Sequence, residues 1–179
     1  NLTQIKKKIL TKRIKLYGKC IKILNKMKAT EKLKSLNIAL HEAPKPVGAY
    51  AAHKKIGKIV YISGQLPIDK NGNIIKGKIG SNLSLEEGQK AAYLCALNIL
   101  SQIRDSCGGN IDKVKNCIKI TGYVNSVDDF KEQPKIINPA SELLKEVFGN
   151  DGIHTRAAVS VNSLPLGAAV EIDAIFEIV

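Results

Sequence analysis

The string "HTRAAVSV" places Arg156 inside a run that otherwise reads as an apolar strand. A planar guanidinium offers parallel N–H groups to two carboxylate oxygens and so fixes both the position and the orientation of a small acid. The point charge of a lysine does not. Two roles are open to such an arginine, a clamp on a substrate carboxylate or a salt bridge within a subunit interface. Other reactive side chains carry weaker signals. His154, two residues before Arg156, is open to a role as a base, but a lone histidine just before a strand is more often a structural hydrogen-bonder. His41 and His53 have no Cys, Asp or Glu at ligand spacing, so no metal site is expected. Ser63 has no sequence-visible His and Asp partners, which argues against a serine nucleophile there. Tyr123 is expected to pack against a helix. Gly108-Gly109 reads as a helix stop rather than a phosphate loop. Cys20, Cys95, Cys107 and Cys117 match neither a zinc motif nor C-x-x-C, and are expected as reduced thiols of an intracellular protein.

The elements that must position these groups follow from residues 31–179. "GAYAAHKKIGKIVYISGQLP" reads as two strands about a turn at Gly57, and "DKNGN" as a further turn. "SLEEGQKAAYLCALNILSQIRDSCGG" reads as a helix with a capping box from Ser84 to Glu87. Its apolar face runs through Ala91, Leu94, Cys95, Asn98 and Ile99, and it stops at Gly108. Val114 to Val124 alternates imperfectly, which predicts a strand with a bulge near Gly122. A second helix ends at Gly149, with Asp128 and Asp129 at its start or in its first turn, and Pro134 and Pro139 complicate where it begins. "TRAAVSV" and "AAVEIDAIFEIV" are two strands joined by "NSLPLG".

This order predicts an α+β fold, a mixed sheet with two helices on one face. Ala158, Val161, Val170, Ile172 and Ile175 read as apolar positions on both faces of their strands, so the second face needs a cover. A second copy of the chain is the expected one. Clefts between copies would bring a buried arginine to solvent and substrate.

The net charge of +12 over 179 residues suggests a nucleic-acid partner until it is located. Ten of the 28 Lys and Arg residues fall within positions 1–28, where there is no acid, leaving 18 basic against 16 acidic groups in the rest. The body is nearly neutral, and the whole chain holds 4% aromatic residues with no Trp, a poor stacking platform for bases. Residues 1–30 form a separate basic extension. Leu2, Ile5, Ile9, Leu10, Ile14, Tyr17, Ile21 and Leu24 mark one face of an amphipathic helix. It reads as a targeting presequence, a membrane-surface or RNA-binding helix, or a helix docked on a neighbour. No run approaches the ~20 apolar residues of a membrane span.

The strings "EAPKPVGAY", "ISGQLP", "GKIG", "EEGQKAA", "VNS", "DF", "EVFG", "HTRAAVSV" and "LPLGAAVEI" occur in this order. With them, residues 31–179 resemble the RidA/YjgF family of reactive-intermediate deaminases, in its longer subgroup often labelled endoribonuclease L-PSP. The resemblance implies a chorismate-mutase-like homotrimer with three clefts between neighbouring subunits. It implies hydrolysis of imines and enamines such as 2-aminoacrylate to a keto acid and ammonia, with no cofactor, metal or covalent nucleophile. It places Arg156 on the substrate carboxylate and Glu171 where an acidic residue positions or polarises water. It also puts Tyr50, Ser63, Gly64 and Asn138 in the cleft. Ala158 stands where better-known members often carry cysteine, so a thiol role is absent.

The same family is described in terms of endoribonucleases and translation inhibitors, for which the lysine-rich extension would supply backbone affinity. A carboxylate-binding trimer without catalysis is a third reading. The location expected is cytoplasmic, or mitochondrial or plastid if the extension is a presequence.

Overall fold

The computed structural model describes residues 27–46 and 48–179. The amphipathic pattern from Leu2 to Leu24 lies outside them. Five strands, β1 (His53–Ile56), β2 (Ile59–Gln65), β3 (Val114–Asn125), β4 (Thr155–Val161) and β5 (Val170–Ile178), form one sheet in the order β1-β2-β5-β3-β4. All neighbours are antiparallel except β3 and β4. A parallel pair cannot be closed by a tight hairpin, and the crossover between β3 and β4 contains a helix. The mixed α+β sheet with two long helices on one face is as expected.

Those helices are α2 (Leu85–Ser106) and α3 (Gln133–Phe148), preceded by a short α1 (Ala29–Ser35) that packs on α3. The start of α2 is the expected capping box. Ser84 Oγ accepts from Glu87 N at 3.2 Å and Glu87 Oε2 accepts from Ser84 N at 2.7 Å, so two otherwise orphaned amides are satisfied. Its C-terminal end is closed by Gly108 at φ 66°, a backbone conformation that only glycine adopts without strain. Ala91, Cys95, Asn98 and Ile99 of the expected face are buried, and Leu94 is partly so. The helix α2 covers β5 and β2, while α3 covers β3 and β4. Between them lie the fully buried side chains of Ile120, Ile172 and Phe176.

Three local expectations are corrected. Asp128 and Asp129 form a turn ahead of α3, which begins at Gln133 with Pro134 in its first turn, where a missing N–H costs nothing. No bulge lies at Gly122, which pairs in register with Ala158 and Ile172; β3 is irregular nearer its start, between Val114 and Asn116 and between Cys117 and Lys119. Gly122 is glycine for a different reason. A Cβ there would lie 2.5 Å from Ile137 Cδ1, so its absence lets α3 approach the sheet. Third, β5 is not apolar on both faces. Val170, Ile172, Ala174, Phe176 and Ile178 face the helices, and Glu171, Asp173, Ile175 and Glu177 alternate with them. Ala158 likewise packs against the helix-side core.

The face without helices carries Tyr61, 46% exposed, beside Ile175, and Val159, 45% exposed, beside Tyr123. Tyr123 does not pack against a helix. Its hydroxyl donates to Asp173 Oδ2 at 3.0 Å on this open face.

Candidate active site

Arg156 is the second residue of β4, paired with Ile120 on β3. Residues paired across strands share a face, so Arg156 stands on the helix side of the sheet. Being on an edge strand, it emerges beside α3 instead of beneath it. There Nη1 donates to Asn138 Oδ1 at 3.0 Å and to Ser141 Oγ at 3.1 Å. Asn138 and Ser141 are three residues apart on α3, one turn of one helix face. Both bonds leave from a single nitrogen. Nε and Nη2 have no acceptor among the described residues, nor does any carboxylate there lie within salt-bridge distance. The guanidinium is held by neutral groups and keeps its charge uncompensated. It borders a cavity of about 300 Å³ lined by Ser141, Lys145, Gly152, Ile153, His154 and Arg156.

Sequence reasoning named Asn138 and weighed His154, two residues before the arginine, as a base, but missed Ser141 and Lys145 as neighbours of the arginine. Asn138, Ser141 and Lys145 fall at i, i+3 and i+7, a polar stripe on a helix whose remaining positions are largely apolar. His154 and Arg156 are two residues apart, which along an extended chain puts them on one side.

A second group of residues assembles around β2 and β5. Glu171 pairs with Tyr123, so it faces away from the helices. Its carboxylate lies across the backbone of Gly64, where a Cβ would come within 1.8 Å of Oε1. A side chain at Gly64 would displace the carboxylate from this position. Ser63 and Gly64 occupy the irregularity where the β2–β5 register shifts between Ile62 and Gln65. Burial raises the Glu171 carboxyl above the ordinary carboxylate range, and the neighbouring Asp173 charge adds to the effect. Ser63 Oγ donates to Ala51 O at 2.7 Å, anchoring the loop that carries Tyr50. Tyr50 is half-exposed and shares a shallow pocket with Pro44, Gly64 and Gln65. Gln102 on α2 ties this loop down by donating to Pro44 O at 2.6 Å.

Within one chain the two groups stay apart. Arg156 and Glu171 sit two strands from one another and three residues out of level, a backbone separation of about 14 Å, on opposite faces. Ser63 and Gly64 are three strand positions from β4, again about 14 Å. Ala158 stands on the Arg156 side, with its methyl group against the core. Among the described residues no cluster of His, Cys, Asp or Glu could hold a metal ion, and no helix is long and apolar enough to cross a membrane.

A family model described as YjgF/chorismate mutase-like, with the word endoribonuclease in its description, matches residues 30–177. The chain belongs to the YjgF/chorismate mutase-like family. Among curated members it is 42% identical to Protein TCP17 of Trypanosoma cruzi, over 82% of this chain and 91% of that one. It is 29% identical to the mouse 2-iminobutanoate/2-iminopropanoate deaminase, over 77% of this chain and 87% of that one. Of solved structures, an Agrobacterium tumefaciens protein of unknown function superposes with a TM-score of 0.76 at 41% identity, covering 84% of this chain and 91% of that one. Escherichia coli TdcF with bound serine superposes at 0.56 with 26% identity, covering 76% and 93%. The YjgF-like fold thus accounts for the sheet and both long helices, and the family includes imine deaminases.

Proposed function

We propose that this protein hydrolyses small 2-imino acids to 2-keto acids and ammonia, in clefts that two protomers of a homotrimer build together. The observation that carries the reading is the open edge of Arg156: a guanidinium oriented by Asn138 and Ser141, without a carboxylate partner among the described residues, beside a cavity of about 300 Å³. A carboxylate-bearing substrate supplies the missing counter-charge, and two parallel N–H groups fix its orientation. The mouse relative's name and the serine bound to TdcF point to the same class of ligand.

The chemistry follows from what each group can do. The substrate imine, protonated at nitrogen, is attacked at carbon by water. Glu171, whose carboxyl is pushed upward by burial, is a stronger base than an ordinary carboxylate and takes the proton from that water. Glu171 then returns that proton to the carbinolamine nitrogen, the C–N bond breaks to release ammonia, and the hydroxyl gives its proton back to Glu171 as the carbonyl of the keto acid forms. Imines already hydrolyse in water, so positioning and one proton transfer suffice, roughly 10² to 10⁴-fold together.

An imino acid of three or four carbons cannot bridge the roughly 14 Å between the arginine half and the glutamate half of one chain. A cleft that joins Arg156 and Asn138 of one protomer to Glu171, Gly64, Ser63 and Tyr50 of the next removes that obstacle. The same association covers Tyr61, Ile175 and Val159 on the face without helices.

The test is ammonia and keto-acid release from enzymatically generated 2-aminoacrylate and from a bulkier imino acid. Acceleration by the wild type, lost in Arg156→Ala with the oligomer intact, supports the reading. No acceleration by the wild type with either imine overturns it and leaves the basic segment, and an RNA partner, as the better guide.

A further inference from the structure

Beneath the Arg156 cavity four groups form an unbroken hydrogen-bonded chain whose polarity is forced at both ends. Gly152 O can only accept, and His154 Nδ1 lies 2.7 Å from it, so Nδ1 carries the proton and, in the neutral ring, Nε2 presents its lone pair. Nε2 is 3.0 Å from Ser141 Oγ. Arg156 Nη1, which can only donate, occupies another lone pair of that same oxygen at 3.1 Å. The Ser141 proton is therefore directed at the imidazole. This is a hydroxyl, a base and a carbonyl that orients the base, the arrangement that activates a serine nucleophile. Burial, assisted by the Arg156 charge, lowers the His154 pKa and keeps the ring neutral.

Two further features separate this from a histidine that merely ties α3 to β4. Ser141, His154 and Arg156 all line the cavity of about 300 Å³, so space for a reactant adjoins the hydroxyl. A cation also touches the hydroxyl oxygen itself, where it favours alkoxide character and stands ready for a developing oxyanion.

We propose that Ser141 is a base-activated nucleophile, and that the protein has a second activity on small carboxylic esters or thioesters, beyond imine hydrolysis. Ser141 Oγ bonds to the acyl carbon as its proton passes to His154 Nε2. The carbonyl π pair moves onto oxygen beside Arg156. The tetrahedral adduct then expels the alcohol or thiol, which takes the proton from Nε2 and leaves an acyl-serine. Water, giving its proton to Nε2, attacks that ester, and the returning proton restores Ser141 as the acid departs. The sum is ester plus water to acid plus alcohol.

The test is covalent capture of the full-length protein by a small alkyl fluorophosphonate, read by intact mass and peptide mapping. The proposal expects a single adduct on Ser141, absent in Ser141→Ala and formed at least ~10²-fold more slowly in His154→Gln. A Ser141→Cys variant gives an independent readout. Its new thiol should react with iodoacetamide faster when His154 is present than in the Ser141→Cys, His154→Gln double variant. No adduct, an adduct only elsewhere, or labelling that ignores His154 in both readouts overturns the proposal.

Discussion

Arg156 and Glu171 lie on opposite faces of one sheet, about 14 Å apart along its backbone, although both belong to the short C-terminal pair of strands. The arginine shares its side with α3, and the glutamate shares its side with Tyr123 and Asp173. A three- or four-carbon substrate cannot meet both within one chain.

The arginine's geometry should matter more than its charge. Arg156→Lys keeps the cation but cannot hold Asn138 and Ser141 while presenting a two-pronged edge to a carboxylate. With charge-assisted hydrogen bonds worth about 1.5–3 kcal/mol, kcat/KM should fall roughly 10- to 100-fold. Steady-state kinetics on one imino acid checks this. An unchanged kcat/KM would mean that the cation acts only as a point charge.

Glu171 should cost stability at neutral pH. Its pKa is raised in the folded state, so the folded chain binds more protons than the unfolded one between the ordinary carboxylate value and the raised one. Stability therefore falls as pH rises through that window, and the cost persists above it. Glu171→Gln should melt higher than wild type at pH 7, by about 2–4 °C for each kcal/mol recovered. The advantage should vanish below the ordinary carboxylate range. Thermal melts from pH 3 to 8 read both, and a variant that melts lower at pH 7 contradicts the assignment.

Gly64 should fix the place of the Glu171 carboxylate. A methyl group at Gly64 would overlap Glu171 Oε1, and the overlapped atoms belong to a flexible side chain, so Gly64→Ala swings the carboxylate away. Lost turnover with little change in stability by denaturant titration is expected. A variant that keeps wild-type turnover contradicts a role for the carboxylate at that position.

Much of the frame was legible from patterns that report on themselves. The Ser84–Glu87 capping box and the Gly108 stop are local devices, satisfied by atoms within a few residues, and both appear as read. The family resemblance was equally local in its strings. What could not be read depends on partners distant in sequence. The reason for Gly122 is Ile137, which no strand pattern reveals, and the bulge assigned to the glycine belongs nearer Val114 and Cys117. Asp128 and Asp129 resemble a helix start because acids favour that position, yet the chain turns there first. The hydrogen bonds that Ser141 shares with His154 and accepts from Arg156 join a helix to β4 and the residue before it, and were hidden for the same reason. Alternation along the extended chain entering β4 does place His154 and Arg156 on one side, a signal that was available.

The most direct measurement is subunit complementation. Arg156→Ala and Glu171→Gln proteins, each inactive alone, are unfolded together, refolded at equal concentration and assayed for imino-acid hydrolysis. With Arg156 from one protomer and Glu171 from its neighbour, random mixing in a cyclic trimer leaves about a quarter of the clefts with both residues intact. Recovery of roughly a quarter of wild-type activity is the predicted result. No recovery, in mixtures shown by mass to contain hybrid oligomers, would contradict a site shared between protomers.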